Sequence, residues 1–472
     1  MHLSSMNSPS CLRTSKSGAD PQVCGWPPGQ PAEVRKIASK LTILSLLLLS
    51  PTIVTAQPTY DLLLKGGHVI DAKNKISAVR DVAIQGGRVA EVSARIDPAK
   101  AKKVIDVSGL YVTPGLIDIH AHTYAGTGER RSYAGDLSIY PDGYTFRVGV
   151  TTVADAGCAG WRNFEDFKDR VIDRSRTRIY AFLNIVGNGM RGGRYESDLN
   201  DMEVKPAAEM ALKHKGLIVG IKTAHFPGPE WTPVDNAIAA GNIANIPVMV
   251  DFGSNRPERP LSELLIRKMR PGDIYTHVYS GLRGEQTESG HANPSLFEGR
   301  KRGVFFDVGH GGGSFLWRVA VPLIKDGFLP DSISTDIHNG SNNNGMKDML
   351  NVMDKFLAMG LSVDEVIAKS TWNPAREIRQ EQLGNLSVGS PADVAVLRLE
   401  NGNFGFVDMY GALLKGSKKL SCEMTFRDGK LVYELNGLSR TEWDKLPANY
   451  RYQGDYSWDD RARTFTSGTK KQ

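Results

Sequence analysis

In the stretch GLIDIHAHTYAG, residues 115–126, His120 and His122 stand two apart directly after an apolar run. Residues i and i+2 of a strand point to one face, so both imidazoles can reach one ion. An H-x-H pair alone reads equally well as a polar strand end. Further along, other apolar runs also end on N or O donors: Asp155, Asn188, Lys222 followed by His225, Asp251, His277, His310, and Asp336 with His338. Imidazole and carboxylate are the usual ligands of a hydrolytic metal centre. Eight of the 10 histidines fall after residue 113, which favours a shared site over scattered surface positions. Lys222 is the odd member, because an ammonium repels a divalent cation and is costly to bury unpaired. Its flexible stem can otherwise carry the amine to solvent.

The elements that must position these residues follow from texture. From residue 57 to 113 apolar and polar residues alternate between Gly-Gly turns, the pattern of antiparallel hairpins. After Pro114, β-rich apolar runs recur at 115–119, 150–154, 179–186, 217–222, 246–250, 274–279, 304–308 and 333–335. Helical stretches such as 164–175, 204–215, 232–244 and 346–359 lie between them. Eight such units predict an α/β fold, a (β/α)8 TIM barrel over 114–384, with its chemistry at the C-terminal strand ends. Short strands then return, including a hairpin around Asp428-Gly429. Residues 57–113 and 385–438 are therefore expected to form one small composite β-sandwich into which the barrel is inserted. A polar tail spans 439–472.

The apolar run 41–49 follows Arg35, Lys36 and Lys40 and precedes the small residues up to Ala56. This is the pattern of a secretory signal cut between Ala56 and Gln57, and the run is too short for a stable membrane span. An exported, periplasmic or secreted protein is expected. The polar segment 1–34 in front is longer than usual for a signal, and translation starting near Val34 would explain it. Removing residues 1–56 lowers the net charge from +6 to about +3, leaving little basis for nucleic-acid binding. Cys158 and Cys422 then remain. They form neither a disulfide framework nor a thiolate metal site, and either pair or stay as buried thiols.

The motifs VTPGLIDIHAH, GVTTVADAG, VGIKTAH, GDIYTHVYSG, FFDVGHGGGSF, STDIH and TWNPAREI followed by LGNLSVGSPADVAVL together resemble the metal-dependent amidohydrolase superfamily. Within it they resemble the branch of dihydroorotase-like and N-acyl amino acid deacetylase-like enzymes, over residues 60–437. The resemblance implies two divalent ions, usually zinc. His120 and His122 match the pair that holds the more buried ion, Lys222 the carboxylated lysine that bridges both, and His277 the sixth-strand ligand. Asp336 matches the eighth-strand aspartate that binds metal and shuttles the proton. The implied reaction is attack of a metal-activated hydroxide on an amide or ester carbonyl of a small molecule, such as an N-acyl amino acid or a cyclic amide.

Two departures stand out. Where the family carries a fifth-strand histidine, this chain has Asp251; either Asp251 ligates or His225 supplies the missing nitrogen, which is favoured, and a one-metal site is the remaining reading. Where dihydroorotases carry an arginine two residues after the histidine pair, this chain has Tyr124, so dihydroorotate is not expected. Tyr124, His310, Gly312 and His338 are the expected substrate contacts, and Arg191, Arg194, Arg283 and Arg318 are candidates for gripping an acid. The rival to an enzyme is an inactive barrel retained for binding or assembly. A small-molecule partner is expected, and homo-oligomerisation stays open.

Overall fold

The structure is a computed structural model and describes residues 59–450 except Phe252 and Ser254. The expected signal, and the tail beyond residue 450, lie outside the described residues. Among the described residues no helix is long and apolar enough to cross a membrane.

Two sheets carry the chain. The first holds β1 (Leu62–Asp71), β2 (Ile76–Gln85), β3 (Arg88–Ser93), β4 (Val104–Asp106) and β5 (Tyr111–Pro114). The barrel strands are β6 (Leu116–Ala121), β7 (Val150–Gly160), β8 (Arg178–Asn184), β9 (Ile218–Thr223), β10 (Val248–Val250), β11 (Ile274–Tyr275) and β12 (Phe305–Phe306). The chain then returns to the first sheet as β13 (Val394–Val407), β14 (Leu413–Arg427) and β15 (Lys430–Glu434). The order of that sheet is β15-β14-β13-β5-β1-β2-β3, with β4 on β1, so the segments before and after the barrel meet where β13 pairs antiparallel with β5. Its inward residues, including Leu64, Val82, Val112, Val394 and Phe426, form their own apolar cluster. The β14–β15 turn needs positive φ at both central residues, and Asp428 (φ 48°) and Gly429 (φ 73°) supply it.

The barrel is distorted. Seven parallel strands run in sequence order from β6 to β12, and every residue of β6, β7 and β9 is buried, as strands covered on both faces must be. The expected eighth strand at 333–335 is not a regular strand. It closes the barrel through single parallel bridges, Asp307 to Ser332 and Ala121 to Ile337. Polar side chains replace part of the ladder there. Asp118 accepts from the Thr335 amide at 3.0 Å and from the Thr335 hydroxyl, and burial pushes its pKa up to about 7. The strands nearest this seam, β10 to β12, are two or three residues long, shorter than their apolar runs suggest.

Asp393, just before β13, ties barrel to sheet. Its carboxylate takes the Arg178 guanidinium at the start of β8 and the Asp428 amide at 2.9 Å, while its carbonyl accepts from Gly115 N at 2.8 Å. Replacing Arg178 with Met leaves this buried carboxylate with weaker partners. Arg178→Met should lower unfolding free energy by about 2 kcal/mol, read as a shifted denaturant midpoint at unchanged slope.

Candidate metal centre

β6 delivers His120, and the residue after the strand end delivers His122; both side chains are buried. The outer nitrogen of each ring is anchored. His120 Nδ1 lies 2.9 Å from Thr276 Oγ1, whose own proton goes to Asp307 at 2.8 Å. The threonine oxygen therefore accepts from Nδ1, and the lone pair of His120 is on Nε2. His277 Nδ1 lies 2.6 Å from the Gly309 carbonyl, which can only accept, so Nδ1 carries a proton, while Nε2 lies 3.2 Å from Asp251 Oδ2. His122 Nδ1 meets the Cys158 thiol at 3.2 Å. Burial, and after it the nearby Lys222, lowers His120 to about 3, keeping the ring neutral and able to ligate.

Asp336 enters from the closing segment at φ 53°, its amide bound to the His120 carbonyl at 2.7 Å. Its Oδ1 lies 2.7 Å from His122 Nε2 and 3.6 Å from His120 Nε2. His120, His277 and Asp336 each turn a ligand atom into one space, all within 4.8 Å of one another. Imidazole nitrogens and a buried carboxylate oxygen that converge on one space fit a cation. Lys222, fully buried on β9, brings Nζ to 3.3 Å from His120 Nε2. Gly157 permits this, since a Cβ there would come within 2.7 Å of the lysine stem. Among the described ion pairs none includes Lys222, and burial lowers its pKa.

Asp251 stands at the end of β10 between two imidazoles. Its Oδ2 is 3.2 Å from His277 Nε2 and 3.3 Å from His225 Nε2, while Oδ1 takes the buried Arg283 at 2.7 Å. Burial opposes its charge, but Arg283 and the two rings hold its pKa well below the usual carboxylate range. His225, at φ 57°, is exposed, with its Nδ1 2.8 Å from Glu196 and its Nε2 directed at Asp251. The structure thus brings His225 and Asp251 to the same side of the centre.

Of the expected substrate contacts, His338 lies at the mouth, its ring 6.1 Å from that of His122, and Gly312 lies beside it. The strand ends before Tyr124, Asp155 captures the amide and hydroxyl of Thr123, and the tyrosine packs 4.9 Å from Phe167 with its hydroxyl on Asp166. His310 is fully buried, stacked 4.5 Å from Phe315, and its Nε2 meets Lys355 Nζ at 2.7 Å. Of the four arginines, Arg194 and Arg318 are exposed, Arg191 pairs with Glu129, and only Arg283 reaches the centre. Among the described residues its Nε and Nη1 have no hydrogen-bond partner. Cys158 and Cys422 are both free and buried.

Sequence reasoning missed Tyr133. Its ring lies 4.4 Å from His122, 5.7 Å from His225 and 4.9 Å from His338, covering the donor set. It sits in an irregular loop where no spacing marks it. The anchors Thr276 and Asp307 were also missed, although Thr276 stands one residue before His277 and Asp307 three before His310.

Comparison with known proteins agrees with this geometry. The amidohydrolase family model matches residues 317–432. A deacetylase of Agrobacterium fabrum (strain C58) is 33% identical, over 70% of this chain and 81% of its own length. A deacetylase of Enterococcus faecalis (strain V583) is 30% identical, over 72% of this chain and 90% of its own. Among solved structures, an adenine deaminase superposes at TM-score 0.72 with 28% identity, covering 80% of this chain and 100% of the other. A dihydroorotase superposes at TM-score 0.67 with 30% identity, covering 78% and 98%. With a distorted barrel and a convergent set of metal donors, the chain belongs to the metal-dependent amidohydrolase superfamily, as a metallohydrolase of its dihydroorotase- and deacetylase-like branch.

Proposed function

We propose that this protein hydrolyses an amide or ester bond of a small molecule, such as an N-acyl amino acid, a cyclic amide or an acyl ester, outside the cytoplasm. The observation that carries this reading is the amine of Lys222, fully buried 3.3 Å from His120 Nε2 and, among the described ion pairs, paired with no carboxylate. An amine depressed by burial adds to carbon dioxide, losing a proton and becoming a carbamate. The product is an anion at a place where an ammonium would oppose metal binding. His120, His122, Asp336 and carboxylated Lys222 would then hold one divalent ion, and Lys222, His277 and His225 a second, most simply zinc.

Such ions supply Lewis acidity, lowering the pKa of water toward neutrality and polarising an acyl carbonyl. The protein's own groups do the rest. Asp336, buried beside His122 and His120, takes the proton of the attacking water and returns it to the leaving nitrogen or oxygen. Tyr133 and His338 border the mouth and orient the acyl portion. Arg283 keeps Asp251 ionised between His277 and His225. The names of the deacetylase relatives favour acetyl as the acyl group.

A screen of N-acetyl amino acids, cyclic amides and acyl esters against zinc-loaded protein tests the reading. One class should be hydrolysed, with activity lost on chelation; a metal-loaded protein inert toward all three supports the binding-protein alternative. Asp336→Asn retains an oxygen but cannot accept the proton. Its turnover should fall by about 10²- to 10⁴-fold with the fold intact, and near-normal turnover rejects the role.

For the fifth-strand replacement, His225→Ala should weaken the second metal. Asp251→Ala should chiefly cost stability, about 3 kcal/mol, because Arg283 loses its carboxylate. A metal-loaded crystal structure decides between the two ligands. An Asp251 oxygen at about 2.0–2.2 Å from zinc, with the His225 ring turned away, reverses the assignment.

A further inference from the structure

Behind the metal donors lies a second buried lysine that the proposed reaction does not use. Lys355 sits on the helix Met349–Ala358 with no exposed surface. Its Nζ lies 2.7 Å from His310 Nε2 and 2.6 Å from the Gly345 carbonyl. His310 Nδ1 in turn lies 2.9 Å from the Gly311 carbonyl, which can only accept. The imidazole therefore carries its proton on Nδ1, and Nε2 accepts from Lys355. One face of the ring is stacked on Phe315, with 10° between the planes. The side chain of His310 is thus fixed at both nitrogens and on one face.

The backbone on either side of His310 is pressed against the metal donors. Gly309 (φ 47°) and Gly311 (φ 53°) both adopt left-handed conformations. A Cβ on Gly309 would stand 2.8 Å from His277 Nδ1 and 3.0 Å from His120 Nδ1, and one on Gly311 would stand 2.1 Å from Asp336 Oδ2. On the barrel side the segment is held by Gly309 N to Ser334 Oγ at 2.9 Å and by Gly311 N to the Thr335 carbonyl at 2.8 Å. The Gly309 carbonyl is the group that keeps the His277 proton on Nδ1. Its direction depends on how residues 309–311 are pinned, and glycines alone do not pin a backbone.

We infer that Lys355 and His310 form a positioning pair, which clamps residues 309–311 from behind so that the Gly309 carbonyl fixes the tautomer and angle of His277 as a metal ligand. The pair touches neither substrate nor metal. It acts through the backbone, in the way that outer hydrogen bonds orient metal-bound histidines. The inference rests on the metal-centre reading above.

The test compares wild type, Lys355→Met, His310→Asn and Phe356→Leu. The last is a core change on the same helix that leaves the hydrogen bonds intact. Each is stripped of metal, then titrated with zinc against a chromophoric chelator, and the visible spectrum of the cobalt-loaded form is recorded. Lys355→Met and His310→Asn should each bind the more weakly held ion about 10-fold less tightly or worse and show a shifted cobalt band. Phe356→Leu should lose thermal stability while keeping affinity and spectrum. Lys355→Met and His310→Asn binding within twofold of wild type, or Phe356→Leu weakened equally, overturns the inference. So does failure of both Lys355→Met and His310→Asn to fold while Phe356→Leu folds, since the pair is then a fold element only. Wild type that binds no divalent metal instead overturns the metal-centre reading itself.

Discussion

A lysine with no exposed surface and, among the described ion pairs, no paired carboxylate stands at the centre of this protein. Leaving an ammonium there is costly, and its imidazole neighbour His120 turns a lone pair rather than a proton toward it. The arrangement of the strand ends follows from that conflict. The fully buried β9 holds the lysine stem, Gly157 on β7 leaves room for it, and β6 and the closing segment turn His120, His122 and Asp336 toward the same space. In the proposed reading, metal ions and a carbamate would relieve the conflict, because an anion would replace the cation and each lone pair would gain an acceptor.

The histidines can play this part only because their outer nitrogens are occupied. Thr276, passing its proton to Asp307, sets His120; the Gly309 carbonyl sets His277; the Cys158 thiol faces His122. The partners come from different strand ends, so the ligand geometry depends on barrel closure. Asp118 contributes to that closure by joining β6 to Thr335. The fifth-strand departure is absorbed in the same way. Asp251 does not stand alone as an added negative charge, because Arg283 balances it and His225 directs its Nε2 at it across from His277.

Much of this was legible in the sequence where periodicity and chemistry coincide. His120, His122, Lys222, His277 and Asp336 all follow apolar runs of strand length, and strand ends of a barrel converge. Tyr124 shows where period-two reasoning stops, since the strand ends one residue before His122 and Asp155 diverts the chain. His310 follows an apolar run too, but between flanking glycines at positive φ it stacks on Phe315. Lys355 was invisible because a lysine in an amphipathic helix ordinarily faces water, and only the tertiary packing of 309–315 buries it. Tyr133 lies in a loop with no repeating pattern. The eighth run was recognised as a barrel element, but side-chain bonds from Asp118 and Asp307 take over from a regular ladder there.

The central claim, that Lys222 is buried in order to become a metal ligand, is tested most directly by counting metal. Protein stripped with chelator and reloaded with zinc in bicarbonate, then freed of excess ion, should retain two equivalents per chain. Lys222→Met, of similar length and unable to form a carbamate, should retain few or none while staying folded. Equal zinc in Lys222→Met and wild type, or none in either, would contradict the account.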